Sequence, residues 1–223
     1  MFQNLRPLIA GLTLAGVISS TVFAAEAAQK AAGMRRVAIE FRDLSGTQDL
    51  SSAPFVSHTT QFRLWEEGKP ATLLVHQLAE NGNAEFILGT AIGDPKTFLD
   101  AAVALPSLPG KGRRVVLTVD AARPLVSGGW MLGHTNDGFA GIEGIDAYKL
   151  KKKLTIDVYA LDAGSEKNTE TKEDAAGLGG LGRQAENGVI HRHTGVRGDA
   201  DIAKSFAFDP AKPIGRITIT PLR

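Results

Sequence analysis

Residues 113–119 read Arg113-Arg114-Val115-Val116-Leu117-Thr118-Val119, and from Val115 every second side chain is apolar. Successive side chains of a β-strand point to opposite faces, so this period indicates a strand with one buried face. The same period recurs in Val37-Ile39-Phe41 within residues 35–41, in Ile156-Val158-Ala160, in Val189-His191-His193 and in Ile217-Ile219. Residues 130–135 are predicted as a further strand. Short strands joined by Gly-rich turns predict a mainly β domain, an antiparallel two-sheet sandwich.

Helix forms only a minor part of this prediction. Residues 70–81 have Pro70 in the first turn and end at Asn81-Gly82, as helices commonly do. Their apolar stripe consists of Ala71, Leu74, Val75 and Leu78. A second helical piece is predicted within residues 84–104, so we expect one or two short helices beside the sheets.

The first 24 residues have the three parts of a secretory signal peptide. Arg6 supplies a positive charge, an apolar run extends from Leu8 to Phe23, and Val22-Phe23-Ala24 provides small residues for cleavage after Ala24. The run is too short and too rich in Gly, Ser and Thr for a membrane anchor. We therefore predict a periplasmic or secreted protein without a membrane span after signal removal. Residues 25–34 are a flexible lead-in, and residues 35–223 are one domain.

The charge balance argues against a polyanionic partner. The chain has 25 Lys and Arg and 24 Asp and Glu, and loss of the signal removes only Arg6, so the mature chain carries 24 of each. A neutral chain gives no electrostatic reason to expect nucleic acid or anionic lipid as partner. One local cluster consists of Lys149, Lys151, Lys152 and Lys153. We interpret it as a charged lead-in that keeps a sheet edge from pairing; contact with a polyanion is the alternative.

Carboxylates gather around two predicted strand ends. Asn136-Asp137 follows one predicted strand, and Asp162-Ala163-Gly164-Ser165-Glu166 follows another. If both ends lie on one side of the sandwich, Asp137, Asp162 and Glu166 and the loop carbonyls can form the all-oxygen shell that Ca²⁺ prefers. Asn, Asp and Gly are also ordinary turn residues, so spacing alone leaves both interpretations open. Residues 163–187 then form a long polar segment, which is typical of a functional or disordered loop.

A second candidate is a pair of histidines. His191 and His193 are two residues apart, so in a strand both imidazoles would point the same way. With a third ligand, such as His58 or His134, they could bind Zn²⁺ or Cu²⁺. The alternative is a pair of half-buried histidines that bond loop backbone. The chain has no cysteine and no G-x-S-x-G or H-E-x-x-H motif, so no catalytic residues are predicted and we expect no enzyme.

Several segments resemble bacterial spondin-domain proteins, and they occur in the order found in that family. The similarity spans roughly residues 35–223. The segments are residues 79–83, 136–144, 159–166, 188–198 and 216–220.

The resemblance implies a C2-like β-sandwich with a bound calcium ion, because animal members of the family are extracellular-matrix proteins with that fold. Their calcium aspartates lie in a Pro-Asp-Trp turn and an Asp-Ala-Gly-Thr-Asp turn, which match Asp137 and then Asp162 and Glu166. Gly138 stands where the animal domains have Trp, Glu166 is one methylene longer than Asp, and the animal disulfides are missing.

The combined expectation is an exported, calcium-binding, non-catalytic module for adhesion, with an unidentified protein or glycan of the cell surface or matrix as partner. A fold alone does not establish a function, so two alternatives stay open. One is a transition-metal enzyme or metal-binding protein that uses His191 and His193. The other is a structural subunit of an envelope assembly.

Overall fold

Two antiparallel sheets form the framework of the domain. The computed structural model describes residues 33–175, 178–180 and 184–222. The predicted signal peptide and residues 25–32 of the lead-in lie outside this described part. Residues 35–223 group into one unit.

The four-stranded sheet has the order β4-β1-β10-β7. Its strands are β1 (Arg35–Asp43), β4 (Gly112–Val119), β7 (Leu154–Val158) and β10 (Gly215–Pro221). Ile39 of β1 pairs with Val115 of β4 and Ile219 of β10, and all three side chains are buried. The period of two in the sequence therefore places one apolar face of this sheet against the core.

The six-stranded sheet has the order β3-β2-β5-β6-β8-β9. Its strands are β2 (Ala53–His58), β3 (Phe98–Ala104), β5 (Leu125–Met131), β6 (Gly138–Asp146), β8 (Leu161–Asp162) and β9 (His191–Arg192). Both faces of this sheet are covered, because one apolar cluster lies between the sheets and a second lies under the helices. In the first cluster the rings of Phe41 and Trp130 stack with centroids 4.9 Å apart.

Two short helices cover the outer face of the six-stranded sheet. They are α1 (Leu73–Asn81) and α2 (Glu85–Gly93). Helix α1 begins three residues after Pro70, because the Thr72 hydroxyl accepts the Val75 N–H and caps the helix there. It ends at Asn81, as predicted, with Gly82 in the left-handed conformation. Within the described ranges, no helix is long and apolar enough to cross a bilayer.

The antiparallel two-sheet sandwich with short helices confirms the predicted fold class. Three strands, β2, β3 and β6, were missed, and the strand predicted through Ala160 is divided between β7 and β8, which belong to different sheets. All six residues of β2 are buried, so no polar face marks its period, and β3 occupies the second half of the segment predicted as helical. Two other predicted strands have different bounds. The strand at 130–135 is β5, which ends at Met131, and the strand at 189–193 is only the two-residue β9.

Candidate metal centre

Asp137 and Asp162 meet where two neighbouring strands of the six-stranded sheet begin and end. Asp137 directly precedes β6, and Asp162 ends β8, where it pairs with Gly138. The Ala163 N–H donates to the Asp137 carbonyl oxygen at 3.2 Å. Both aspartates have 0% of their surface exposed. The topology thus brings together two of the three carboxylates that the motifs predicted as calcium ligands.

The two oxygens of the Asp137 carboxylate have different surroundings. Oδ2 accepts three hydrogen bonds, from the Ser165 N–H at 2.8 Å, the Ser165 hydroxyl at 3.0 Å and the Glu166 N–H at 2.9 Å. Oδ1 is buried and has no hydrogen-bond partner among the described residues. A buried oxygen without a partner is costly, so this atom indicates a position for a cation or a proton.

The charge of Asp137 is held in an unfavourable environment. Burial, followed by the negative charge of Asp162, raises the pKa of Asp137 to about 6, although the three bonds to Oδ2 act in the opposite direction. A cation between the two carboxylates would relieve both causes of the shift.

Asp162 organises the turn that follows it. Its Oδ1 accepts the Gly164 N–H at 2.8 Å, and its Oδ2 accepts the Asn168 side-chain N–H at 2.6 Å. Gly164 has φ +65°, and a Cβ there would lie 2.6 Å from the Val189 carbonyl oxygen. This turn therefore requires glycine, both for its backbone conformation and for the close approach of the neighbouring chain.

The turn at Gly138 has no room for a side chain. A Cβ at this position would lie 2.5 Å from the Thr135 hydroxyl oxygen. That hydroxyl accepts the Gly138 N–H at 3.0 Å and donates to the Leu132 carbonyl at 2.7 Å. The turn before β6 is thus closed by Thr135, which leaves no room for a larger side chain at 138.

Glu166 lies beside this pair. It is buried, its N–H donates to Asp137, and it forms an isolated bridge with Ala185. In the described part of the chain, no group of three or more His, Asp or Glu side chains is arranged to hold a metal ion. That Glu166 shares one ion with Asp137 and Asp162 stays a prediction.

The two histidines do not form a matched pair. His193 is buried, whereas the His191 side chain is 45% exposed, and β9 ends at Arg192 between them. The Gly195 N–H donates to Nδ1 of His193 at 2.9 Å, so the neutral ring carries its proton on Nε2. Nε2 of His193 then has no lone pair for a metal, and burial lowers the pKa of this ring.

His191 is placed differently. Its Nδ1 lies 2.8 Å from the Arg192 carbonyl oxygen, and its Nε2 lies 3.7 Å from Oδ1 of Asp162. The suggested third ligands have at least one partner each, although Nδ1 of His134 is buried without one among the described residues. His58 bonds Thr59 and Ser127, and His134 bonds Asp49. The geometry therefore does not favour a transition-metal site on His191 and His193.

Residues 163–175 and 193–202, which we call the carboxylate-held loops, are anchored by a residue that the sequence analysis missed. Glu170 is buried, and its two carboxylate oxygens accept the N–H groups of Arg197 and Gly198, each at 2.7 Å. Its backbone N–H donates to the Asn136 side chain at 3.2 Å. Glu170 also has φ +58°, a conformation that a non-glycine residue rarely adopts. These contacts join positions that are distant in the sequence, so periodicity could not reveal them.

A serine–histidine pair was also missed. The Ser127 hydroxyl lies 2.7 Å from Nε2 of His58 and accepts the Gly144 N–H at 2.8 Å. Both side chains have 0% exposure, so no substrate can reach the hydroxyl. The pair supports the packing of β2 against β5 and is not arranged for catalysis.

Comparison with known proteins gives one family. The spondin N-terminal domain model (Spondin_N) matches residues 45–176, which is more than half of the chain. The matched range includes Asp137, Asp162 and Glu166 and ends before His191. No curated protein matches the chain.

Proposed function

Because this chain belongs to the spondin N-terminal domain family, we propose that it is an exported, calcium-binding, non-catalytic module for surface or matrix contact. The family is one of non-enzymatic, extracellular-type domains. Export, calcium binding and contact with a surface are the parts of this proposal that need experiments.

The observation that carries the calcium proposal is the buried, unpartnered Oδ1 of Asp137 next to a second buried carboxylate. Calcium is bound by oxygen atoms, and the donors here are the carboxylates of Asp137 and Asp162 with amide and carbonyl oxygens of the adjoining turn. These donors fit calcium better than a softer metal. Asp137 and Asp162 would hold the ion, and Glu166 is the next acidic side chain in the same turn.

Calcium would supply positive charge where folding has buried two negative charges. Asp137 would then remain ionised at neutral pH and keep its three hydrogen bonds from Ser165 and Glu166. Those bonds fix the first turn of the carboxylate-held loops. The ion would therefore stabilise the folded domain and order its loops together.

Thermal melting with excess calcium and with EGTA tests the site. At a hundredfold excess over Kd, a ligand that binds only the folded state adds about 2.7 kcal/mol. We expect this gain for the wild type and its loss in Asp162→Ala. Glu173→Ala is the matched control, because it removes an exposed carboxylate from the same segment and should keep the gain. Equal midpoints of the wild type in calcium and in EGTA would contradict the calcium site.

Metal analysis of protein purified without a His-tag distinguishes this function from the transition-metal alternative. We expect calcium and no stoichiometric zinc or copper. Stoichiometric zinc or copper that is lost in His191→Ala would instead support the metal-binding role of the histidines.

Export and partner binding are tested separately. Amino-terminal sequencing of the exported protein should begin at Ala25, and an intact Met1 would contradict cleavage after Ala24. A pull-down from envelope extract should retain a surface protein or glycan in calcium and lose it with chelator. If the chelator does not change the amount of partner retained, the contact surface does not depend on the calcium site.

A further inference from the structure

Five basic side chains from separate parts of the chain gather at the end of the sandwich opposite the aspartates. We call them the basic patch, and they are Arg35, Arg36, Lys151, Lys152 and Lys153, all of them exposed. The sequence shows the three lysines as a run, but only the fold adds the two arginines from the start of β1.

The strand register brings these residues together. Leu154 of β7 pairs with Ile219 of β10, and Pro221 of β10 pairs with Val37 of β1. Lys151, Lys152 and Lys153 directly precede β7, so they lie at the end of this sheet where Val37 pairs with Pro221. The Arg35 guanidinium donates to the Tyr148 carbonyl oxygen at 2.9 Å and lies 4.8 Å from the centre of the Tyr148 ring. These contacts fix the loop before β7 against the start of β1.

The patch is not neutralised by its surroundings. None of its five side chains has an ion-pair partner among the described residues. The acidic side chains of the adjoining loops are already paired, Asp146 with Lys149 at 2.8 Å and Asp120 with Arg123 at 2.6 Å. The positive charge at this end therefore faces solvent.

The aspartate pair lies far from the basic patch. Asp137 precedes the first residue of β6, and Asp146 is its last, so the nine residues of β6 separate the aspartate pair from the patch. At about 3.3 Å per residue, that separation is about 30 Å. The net charge of zero therefore does not exclude a local concentration of positive charge.

We propose that the basic patch docks the domain end-on to an anionic lipid bilayer, with the aspartate pair facing away. The five cations are exposed and are carried on the start of a strand and a connecting loop; Arg35 is held against Tyr148, and the other four are long side chains without an ion-pair partner among the described residues. This arrangement suits a planar surface of many negative headgroups, because each cation can reach a headgroup independently. A single small anion would require converging, preoriented donors instead.

The orientation follows from where exposed cations occur without acidic neighbours. An anionic bilayer attracts the patch within about one Debye length, whereas the carboxylate-held loops expose both signs of charge, such as Lys172 beside Glu173. The sequence also predicts a membrane-targeted signal that only residues 25–34 separate from Arg35. Arg35 and Arg36 are therefore the part of the patch that follows the predicted signal most closely in the chain.

Sedimentation with vesicles tests this proposal, and EGTA in every sample keeps it independent of the calcium site. The mature protein should bind vesicles of phosphatidylcholine and phosphatidylglycerol, should not bind pure phosphatidylcholine, and should be released by salt. Each cation near such a surface contributes about fivefold in affinity. We therefore expect Lys152→Ala to bind about fivefold more weakly, and the triple variant Lys151→Glu, Lys152→Glu, Lys153→Glu at least about a hundredfold more weakly.

The matched control changes the net charge equally at other places. It carries Lys69→Glu, Lys172→Glu and Lys204→Glu, which replace three exposed lysines, and it should keep most of the binding. Circular dichroism and melting of each variant confirm that it is folded. The proposal is overturned if the wild type binds neither vesicle or both equally, or if the control loses as much affinity as the patch variant. Binding of dextran sulfate without any vesicle binding would also overturn it, because the patch would then recognise a soluble polyanion.

Discussion

In the four-stranded sheet the inward side chains are apolar, and Ile39 and Leu117 have no exposed surface. In the carboxylate-held loops, by contrast, the anchors are buried acids: Asp137, Asp162 and Glu170. The sheet is stabilised by removing hydrocarbon from water, which depends little on pH or on ions. The loops are stabilised by charged hydrogen bonds, whose strength depends on the protonation and pairing of each carboxylate.

This difference has a consequence for function. A region held by carboxylates can respond to pH, and under the proposed function also to calcium, while the sheet below it stays folded. The following predictions are arranged from the largest expected effect to the smallest, and each asks whether the two regions respond separately.

The largest effect is expected in the core beneath the four-stranded sheet. Phe41 is 2% exposed, and its ring stacks on Trp130. Phe41→Ala should lower the free energy of unfolding by roughly 3–5 kcal/mol, because it removes a buried ring and leaves a cavity. Urea denaturation measures the loss, which should be the same with calcium and with EGTA. Phe86→Ala, at a site that is 43% exposed, is the control and should cost much less.

The next effect is the pH dependence of the calcium-free protein. The folded pKa of Asp137 is raised to about 6, so the folded state binds this proton more tightly than the unfolded chain. The bound proton therefore stabilises the folded state below about pH 4, and this stabilisation is lost as the pH rises through about 6. The total loss in the free energy of unfolding is about 3 kcal/mol. Unfolding in EGTA across this range should show that loss relative to Asp137→Asn. Parallel curves for the two proteins would show that the pKa of Asp137 is not raised in the folded state.

A smaller effect is expected at Glu170, whose carboxylate accepts the N–H groups of Arg197 and Gly198. Glu170→Gln should lower the free energy of unfolding by about 2–3 kcal/mol. The substitution removes the charge from both hydrogen bonds, and one backbone N–H then faces the side-chain NH2 group instead of an oxygen. Amide exchange should become faster at Arg197 and Gly198 and stay unchanged at Ile39. Glu173→Gln, which changes an exposed carboxylate, is the control. Faster exchange in the four-stranded sheet as well would mean that the two regions unfold together.

The smallest effect is expected at Ser127. Ser127→Ala removes the hydroxyl that bonds His58 and Gly144 and should cost about 1–2 kcal/mol. Ser205→Ala changes an exposed serine and should cost almost nothing. The calcium-dependent rise in melting temperature should be unchanged in both variants. A reduced calcium effect in Ser127→Ala would show that this pair is coupled to the aspartates.

The same contrast explains what the sequence could predict. β1, β4 and β10 have one face toward the core, so their period of two identified them. β2 is buried on both faces and gave no such period. The helix at residues 73–81 was identified from its apolar stripe and Gly82, although Thr72 rather than Pro70 sets its start.

The candidate site was predicted only in part. Asp137 and Asp162 were found because each lies in a recognisable turn. Glu170 was not, because its partners Arg197 and Gly198 are 27 and 28 residues away and only the folded loops bring them together. The basic patch was found only in part, because the lysine run is visible in the sequence but Arg35 joins it through its contact with Tyr148. Metal binding by His191 and His193 stays a prediction, and the two-residue β9 includes only the first of these histidines.

Calcium binding measured by isothermal titration calorimetry tests the central claim most directly. The wild type should bind one calcium ion per chain, and Asp137→Asn should bind none, because it removes the carboxylate whose buried oxygen has no partner among the described residues. Glu173→Gln should bind like the wild type. Absence of binding by the wild type, or equal binding by Asp137→Asn, would contradict the account.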